Sequence, residues 1–128
     1  MHNERSANVN IGGEEFELLL TTKATKEIAK RYGGLEDLGD KLMKSENFEM
    51  ALDEVFWLIT LLANQPILIH NLRNKDDTKE LLTKDAVELL TSPFELADYK
   101  EAITKAMFNG VKRNVESKDA DVKNVEVE

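Results

Sequence analysis

A chain of 128 residues, 41% hydrophobic and 33% charged, is long enough for one domain with its own core and too short for two. Having no cysteine, it excludes disulfide staples, thiolate chemistry and cysteine-held zinc or iron–sulfur centres, and its two histidines leave little material for histidine-based sites. The 25 acidic against 17 basic residues give a net charge of −8, a field that disfavours nucleic acid and anionic membranes as partners.

Residues 1–7 lack the apolar stretch of a secretory signal and are expected to be disordered. The first ordered element predicted is a hairpin. Asn8-Val9-Asn10-Ile11 alternates polar and apolar, Gly12-Gly13 supplies the positive φ angles of a tight turn, and Glu14 to Leu20 returns. A two-residue turn sets Val9 opposite Phe16. Phe16, Leu18 and Leu20 then share one face, with Glu15 and Glu17 on the other. Thr22 is a candidate N-cap for a helix carrying Ala24, Ile28 and Tyr32, and Gly33-Gly34 offers a left-handed stop. A second short helix is expected through Leu35, Leu38 and Leu42, weakened by Gly39.

The strongest helical pattern covers residues 45–63, where Phe48, Ala51, Leu52, Val55, Ile59 and Leu62 recur at three- and four-residue steps. Phe56, Trp57, Leu58 and Leu61 widen the stripe until it nearly encircles the helix, so neighbours or a partner must cover it. The apolar run from Val55 to Ala63 falls far short of the ~20 residues of a membrane span, and the chain is expected to be soluble and cytoplasmic. Pro66 is expected to break or kink the path, opening a new element with Ile67, Leu68, Ile69 and Leu72 that reads as helix or as extended chain. Residues 71–80 read as a polar loop. Thr83 is a second N-cap, with Leu82 and Val87 placed for a hydrophobic staple and Asp85 in the first turn. Ser92-Pro93-Phe94-Glu95 spells a capping box with proline at the first helical position. The helix it opens should bury Leu96, Tyr99, Ile103, Ala106 and Met107, reach toward Val111, and pair Glu101 with Lys105 on its wet side. Residues 116–128 are charged, lack aromatics and are expected to be a disordered tail. The fold class is therefore mostly α, with an N-terminal β-hairpin packed on a bundle of about four to six helices in one domain over residues 8–115.

Chemical motifs fail on inspection. The two glycines in the stretch from Gly34 to Lys41 imitate a phosphate loop, but Asp40 stands where lysine is required, and Glu36 and Asp37 would repel phosphate. Asp76, Asp77 and Glu80 lack the spacing of a calcium loop; an N-cap at Asp77 accounts for them without a metal. His70 has no second ligand one turn away, since Pro66 and Asn74 flank it, and reads as a hydrogen-bonded, partly buried side chain. No serine lies in a nucleophile elbow, and no carboxylate pair is marked by an apolar cleft. No catalytic, cofactor-binding or metal-binding residue is expected, and the chain reads as a non-enzyme. The candidates for partner binding are Trp57, as an aromatic anchor with Phe56 and Phe108, and Ile67, Leu68 and Leu72 beside the proline; each has core packing as its alternative.

The order of elements carries a resemblance. A Gly-Gly hairpin runs into EEFELLLTTKATKEIAKRYGG, a Trp-bearing helix ends in LLANQPILIHN, and KELLTKDAVELLTSPFELADYKEAITKAMFNGVKRNVES leads to a charged tail. From about Val9 to Ser117 this resembles the small tail assembly chaperones of long-tailed phages and prophages of Gram-positive bacteria. The resemblance rests on patterns of strand, cap and helix, so no functional residue is carried over from it. It implies a non-enzymatic protein that coats the tape measure protein in the host cytoplasm until tube subunits polymerise around it, and that is absent from the finished particle. Tail tube subunits are a second implied partner, and self-association stays open. Two other readings fit the composition: an acidic regulatory or decoy protein bound to a basic partner, and a structural connector of the virion.

Overall fold

A computed structural model describes residues 6–34 and 48–107. The molecule is mostly helical, with an N-terminal two-stranded antiparallel hairpin. Strands β1 (Ser6–Ile11) and β2 (Glu14–Leu19) pair with Val9 opposite Phe16, the register the glycine pair dictates. Gly12 and Gly13 sit at φ +65° and +89°, values open to glycine at no steric cost, and Asn10 Oδ1 accepts from Gly13 N at 2.9 Å. The strand starts at Ser6 rather than Asn8. Ser6 and Ala7 have little strand preference of their own, but they pair with Leu19 and Leu18, whose burial fixes the ladder.

Helix α1 (Thr22–Tyr32) buries Ala24, Ile28 and Tyr32 and ends at Gly33, which is left-handed at φ +90°. Its cap is Thr21, one residue before the predicted Thr22. The Thr21 hydroxyl accepts from Ala24 N at 3.0 Å and donates to Gln65 Oε1 at 2.6 Å, so it both caps one helix and ties it to the next.

Helix α2 (Phe48–Arg73) is the spine, and Pro66 does not break it: the helix continues past the proline, and Ile67, Leu68 and Ile69 are helical, one of the two readings the sequence left open. An interior proline costs about 3 kcal/mol through the missing N–H and the clash with the preceding turn. Burial around it offsets that cost. Leu62, Ala63 and Gln65 are inside, and the Gln65 amide donates to the Leu61 carbonyl at 2.9 Å. By length and composition alone Leu52–Arg73 also matches a membrane-crossing helix, a feature hidden when the apolar run is taken to stop before Pro66. Here α2 packs on β2, on the helix after the loop and on α1.

Residues 74–83 contain no helix, so Asp77 caps nothing, contrary to the expectation. Helix α3 (Lys84–Leu90) begins at Thr83, whose hydroxyl accepts from Ala86 N at 3.0 Å; Val87 is fully buried and Leu82 packs on the core, as a staple requires. The Leu90 side chain seats over the hairpin, where a Cβ added to Gly12 would meet it at 3.1 Å. Ser92 then forms its capping box: Glu95 Oε1 accepts from Ser92 N at 3.1 Å, and Ser92 Oγ from Phe94 N at 3.2 Å. A 3-10 turn (Pro93–Glu95) leads into α4, residues 96–107, which buries Tyr99, Ala102, Ile103, Ala106 and Met107 and leaves Glu101 and Lys105 exposed. The Tyr99 hydroxyl donates to the Asn10 carbonyl at 2.6 Å, fastening α4 to the outer edge of β1. Among the described residues, one continuous core joins both strands and all four helices. The predicted helix at 35–42, the tail at 116–128, and Phe108 and Val111 lie outside the described residues.

Candidate functional site

All four sequence candidates, Trp57, Ile67, Leu68 and Leu72, fall on α2, but they do not form one patch. Trp57 precedes Ile67 by ten residues, about 15 Å along the axis. Its ring is half-buried under the Arg31 guanidinium, 4.5 Å from the ring centre, and meets Tyr32 edge-on at 6.1 Å. Arg31 Nε also donates to Glu54 at 3.2 Å, and the Tyr32 hydroxyl donates to the same carboxylate. Burial and the Glu54 hydrogen bond push the Tyr32 phenol well above its ordinary range. Trp57 is thereby fixed between helices. Phe56, by contrast, is core, edge-on to Tyr99 at 5.5 Å.

Ile67 and Leu68 are half-buried and Leu72 is 69% exposed; none of the three joins the core. The residues around them are organised by amides that the sequence analysis did not single out. Asn64 Nδ2 donates to the Leu82 carbonyl at 2.9 Å while its Oδ1 accepts from Leu82 N at 2.8 Å. Asn71 repeats the arrangement on Lys79, at 3.0 and 2.8 Å. His70 Nε2 lies 2.8 Å from the Asp77 carbonyl, which can only accept, so this nitrogen carries the proton and Nδ1 accepts from Asn74 Nδ2 at 3.3 Å. His70 is thus the hydrogen-bonded, partly buried residue its setting suggested. Residues 77–82 form a strap drawn back along α2 by three polar side chains. The available sequence signal was two asparagines seven apart in the largely apolar second half of the helix.

Two large apolar side chains elsewhere are more exposed than Leu72, Phe94 at 95% and Leu89 at 84%, and Leu90 beside them is 54% exposed. Between α2 and the α3–α4 connection an open cleft of about 360 Å³ is lined by Leu52, Phe56, Glu88, Ser92 and Pro93 among others. Lys84 closes its polar side, bonded to Asp53 and 3.2 Å from Glu88, and this hydrogen bond holds the Asp53 carboxyl below the usual range. The capping box explains the exposure of Phe94: the backbone at 92–95 serves the turn, and the second helical position points outward. Among the described residues no group of three or more histidines and carboxylates is arranged to hold a metal ion. Both carboxylates at the cleft, Asp53 and Glu88, are paired with the single Lys84. Compared with known proteins, the chain matches no family model, no curated protein and no solved structure.

Proposed function

We propose that this chain is a non-catalytic binder of other polypeptides: a phage or prophage tail assembly chaperone that holds the tape measure protein soluble in the host cytoplasm, with tail tube subunits as a second client. The observation that carries the reading is the apolar surface at the α3–α4 connection, where Leu89 and Phe94 expose 84% and 95% of their area. Exposed leucine and phenylalanine side chains beside a cleft are a surface for another apolar chain. The element order that resembles the tail assembly chaperones supplies the client. A net charge of −8 keeps such a binder dispersed while its apolar side chains are free.

Co-expression with a fragment of the tape measure protein is the test. The expected result is a larger soluble fraction of the fragment with the chain than without it, and a complex that survives 0.5 M salt. Equal insolubility with and without the chain contradicts the reading. A complex that dissolves as salt rises points instead to an acidic regulator bound to a basic partner by charge.

A further inference from the structure

Phe94 is an exposed aromatic side chain on a braced turn. Ser92 Oγ accepts from the Phe94 N–H at 3.2 Å, Glu95 Oε1 accepts from Ser92 N at 3.1 Å, and Pro93 fixes the backbone between them. A ring presented from such a turn gives up little backbone freedom when something covers it. The open cleft between α2 and the α3–α4 connection begins one residue away, at Pro93, and Leu89 likewise follows a wall residue, Glu88. The cleft volume of about 360 Å³ is more than twice that of a cavity that takes up benzene, roughly 150 Å³. Leu52, Phe56 and Pro93 supply its apolar lining. On the polar side the single Lys84 is paired with both Asp53 and Glu88, so a ring laid there strands no charge without a partner. The patch therefore carries a rigid apolar knob and, beside it, a hollow that fits the knob.

We propose that two copies of this chain pair through the patch, the Phe94 ring of each entering the cleft of the other. A knob and a hollow on one patch are what a two-fold contact needs: each copy gives and receives the same thing, and the pair closes. On opposite sides of the molecule they would generate open strings instead. Phe94 is 95% exposed and Leu89 84%, and an aromatic side chain contributes roughly 150–250 Å² when covered. Doubled by symmetry and joined by the cleft walls, the contact falls at the small end of specific interfaces, below about 1,200 Å² in total, where association is weak and reversible. The net charge of −8 on each copy opposes it further. Pairing is thus a property of the concentrated protein, and single chains prevail when it is dilute. The contact covers Leu89 and Phe94, the side chains offered to clients in the proposed function. Pairing itself needs no client, so the two readings fail separately.

The test follows the unaltered full-length chain by sedimentation velocity and nuclear magnetic resonance from about 10 µM to about 1 mM. One monomer–dimer step is expected, with the signals of Leu52, Thr91 and Phe94 shifting along the same curve. In an equal mixture of isotope-labelled and unlabelled chains, the Phe94 ring protons of one copy should show contacts to the Leu52 and Thr91 methyl groups of the other. Salt separates an apolar contact from a charged one. Screening the repulsion between two acidic chains should tighten pairing about two- to threefold between roughly 50 and 500 mM salt. Phe94→Ala should weaken pairing at least about twentyfold, and Phe94→Leu should keep it within about fivefold of the native chain. Both variants should keep the native thermal midpoint within a few degrees, because the ring is exposed. Absence of association up to about 1 mM, cross-copy contacts centred on other residues, or pairing of Phe94→Ala equal to that of the native chain overturns the proposal. So does association that weakens as salt rises. The mixture and salt measurements use the native chain, and they decide alone if a variant fails to fold.

Discussion

The two ends of α2 are built on different principles. From Val55 to Ala63 the helix is held by burial: Val55, Leu58, Ile59 and Leu62 are wholly inside and touch both the hairpin and the other helices. From Asn64 to Arg73 it is held by polar side chains that grip backbone, with Ile67 and Leu68 half-covered and Leu72 exposed. Apolar burial has no direction and tolerates sliding, whereas an amide clamp works only in one register. The first end therefore stabilises the fold, and the second specifies where an extended segment lies. Pro66 marks the border between them.

The largest break in this comparison comes from the buried end. Leu58→Ala should cost about 2–5 kcal/mol in chemical denaturation, because the site is closed on all sides and can collapse only in part. At the amide-held end, Asn64→Ala should cost about 1–3 kcal/mol, since the partly buried Leu82 N–H and C=O lose their partners. Asn71→Ala should cost about 1 kcal/mol or less, because its hydrogen bonds to Lys79 are open to solvent and water replaces the amide. Equal effects at the two asparagines would erase the distinction between the inner and outer clamps.

Pro66→Ala sharpens the border in the opposite direction. Restoring an N–H to the turn should stabilise the chain by about 1–3 kcal/mol, read as a raised denaturation midpoint with unchanged slope. A loss of stability would mean that the proline sets a bend on which the strap depends.

The smallest effect is on pH dependence. Burial holds both the Tyr32 and the Tyr99 phenols above their ordinary value of 10.0, with Glu54 and Glu95 adding to it. A folded value above the unfolded one favours the neutral phenol in the native state. Its contribution is fully present below about pH 10 and is lost as pH rises from there through the raised native value. Stability should fall above about pH 10, and Tyr32→Phe and Tyr99→Phe should each flatten that fall.

The hairpin, α1, the start of α3 and the capping box were legible because local chemistry and tertiary packing ask for the same thing there. Gly12-Gly13 sets the register, Gly33 stops α1, and Thr83 and Ser92 cap where their spacing says they should. Thr21 and Thr22 are indistinguishable by residue type; the cap went to the hydroxyl that also reaches Gln65, forty-four residues away. Pro66 did not break the helix because propensity is a local cost, and the burial of Leu62, Ala63 and Gln65 just before it outweighed that cost. The candidate site was legible only in part. Ile67, Leu68 and Leu72 stand out as apolar, but the clamps that organise them bind backbone, and a backbone partner leaves no trace in composition. Phe94 counted as part of a cap, where side-chain exposure does not register.

On the proposed function, the apolar side chains at the α3–α4 connection are kept exposed for another polypeptide. The measurement that tests it most directly compares the native chain with Leu89→Ser/Phe94→Ser for the soluble yield of a co-expressed tape measure fragment, alongside the thermal midpoint of each chain alone. Both side chains are exposed, so the midpoint should be unchanged within a few degrees while the soluble fragment is lost. An unchanged yield, or a loss that merely follows unfolding of the variant, would contradict the claim.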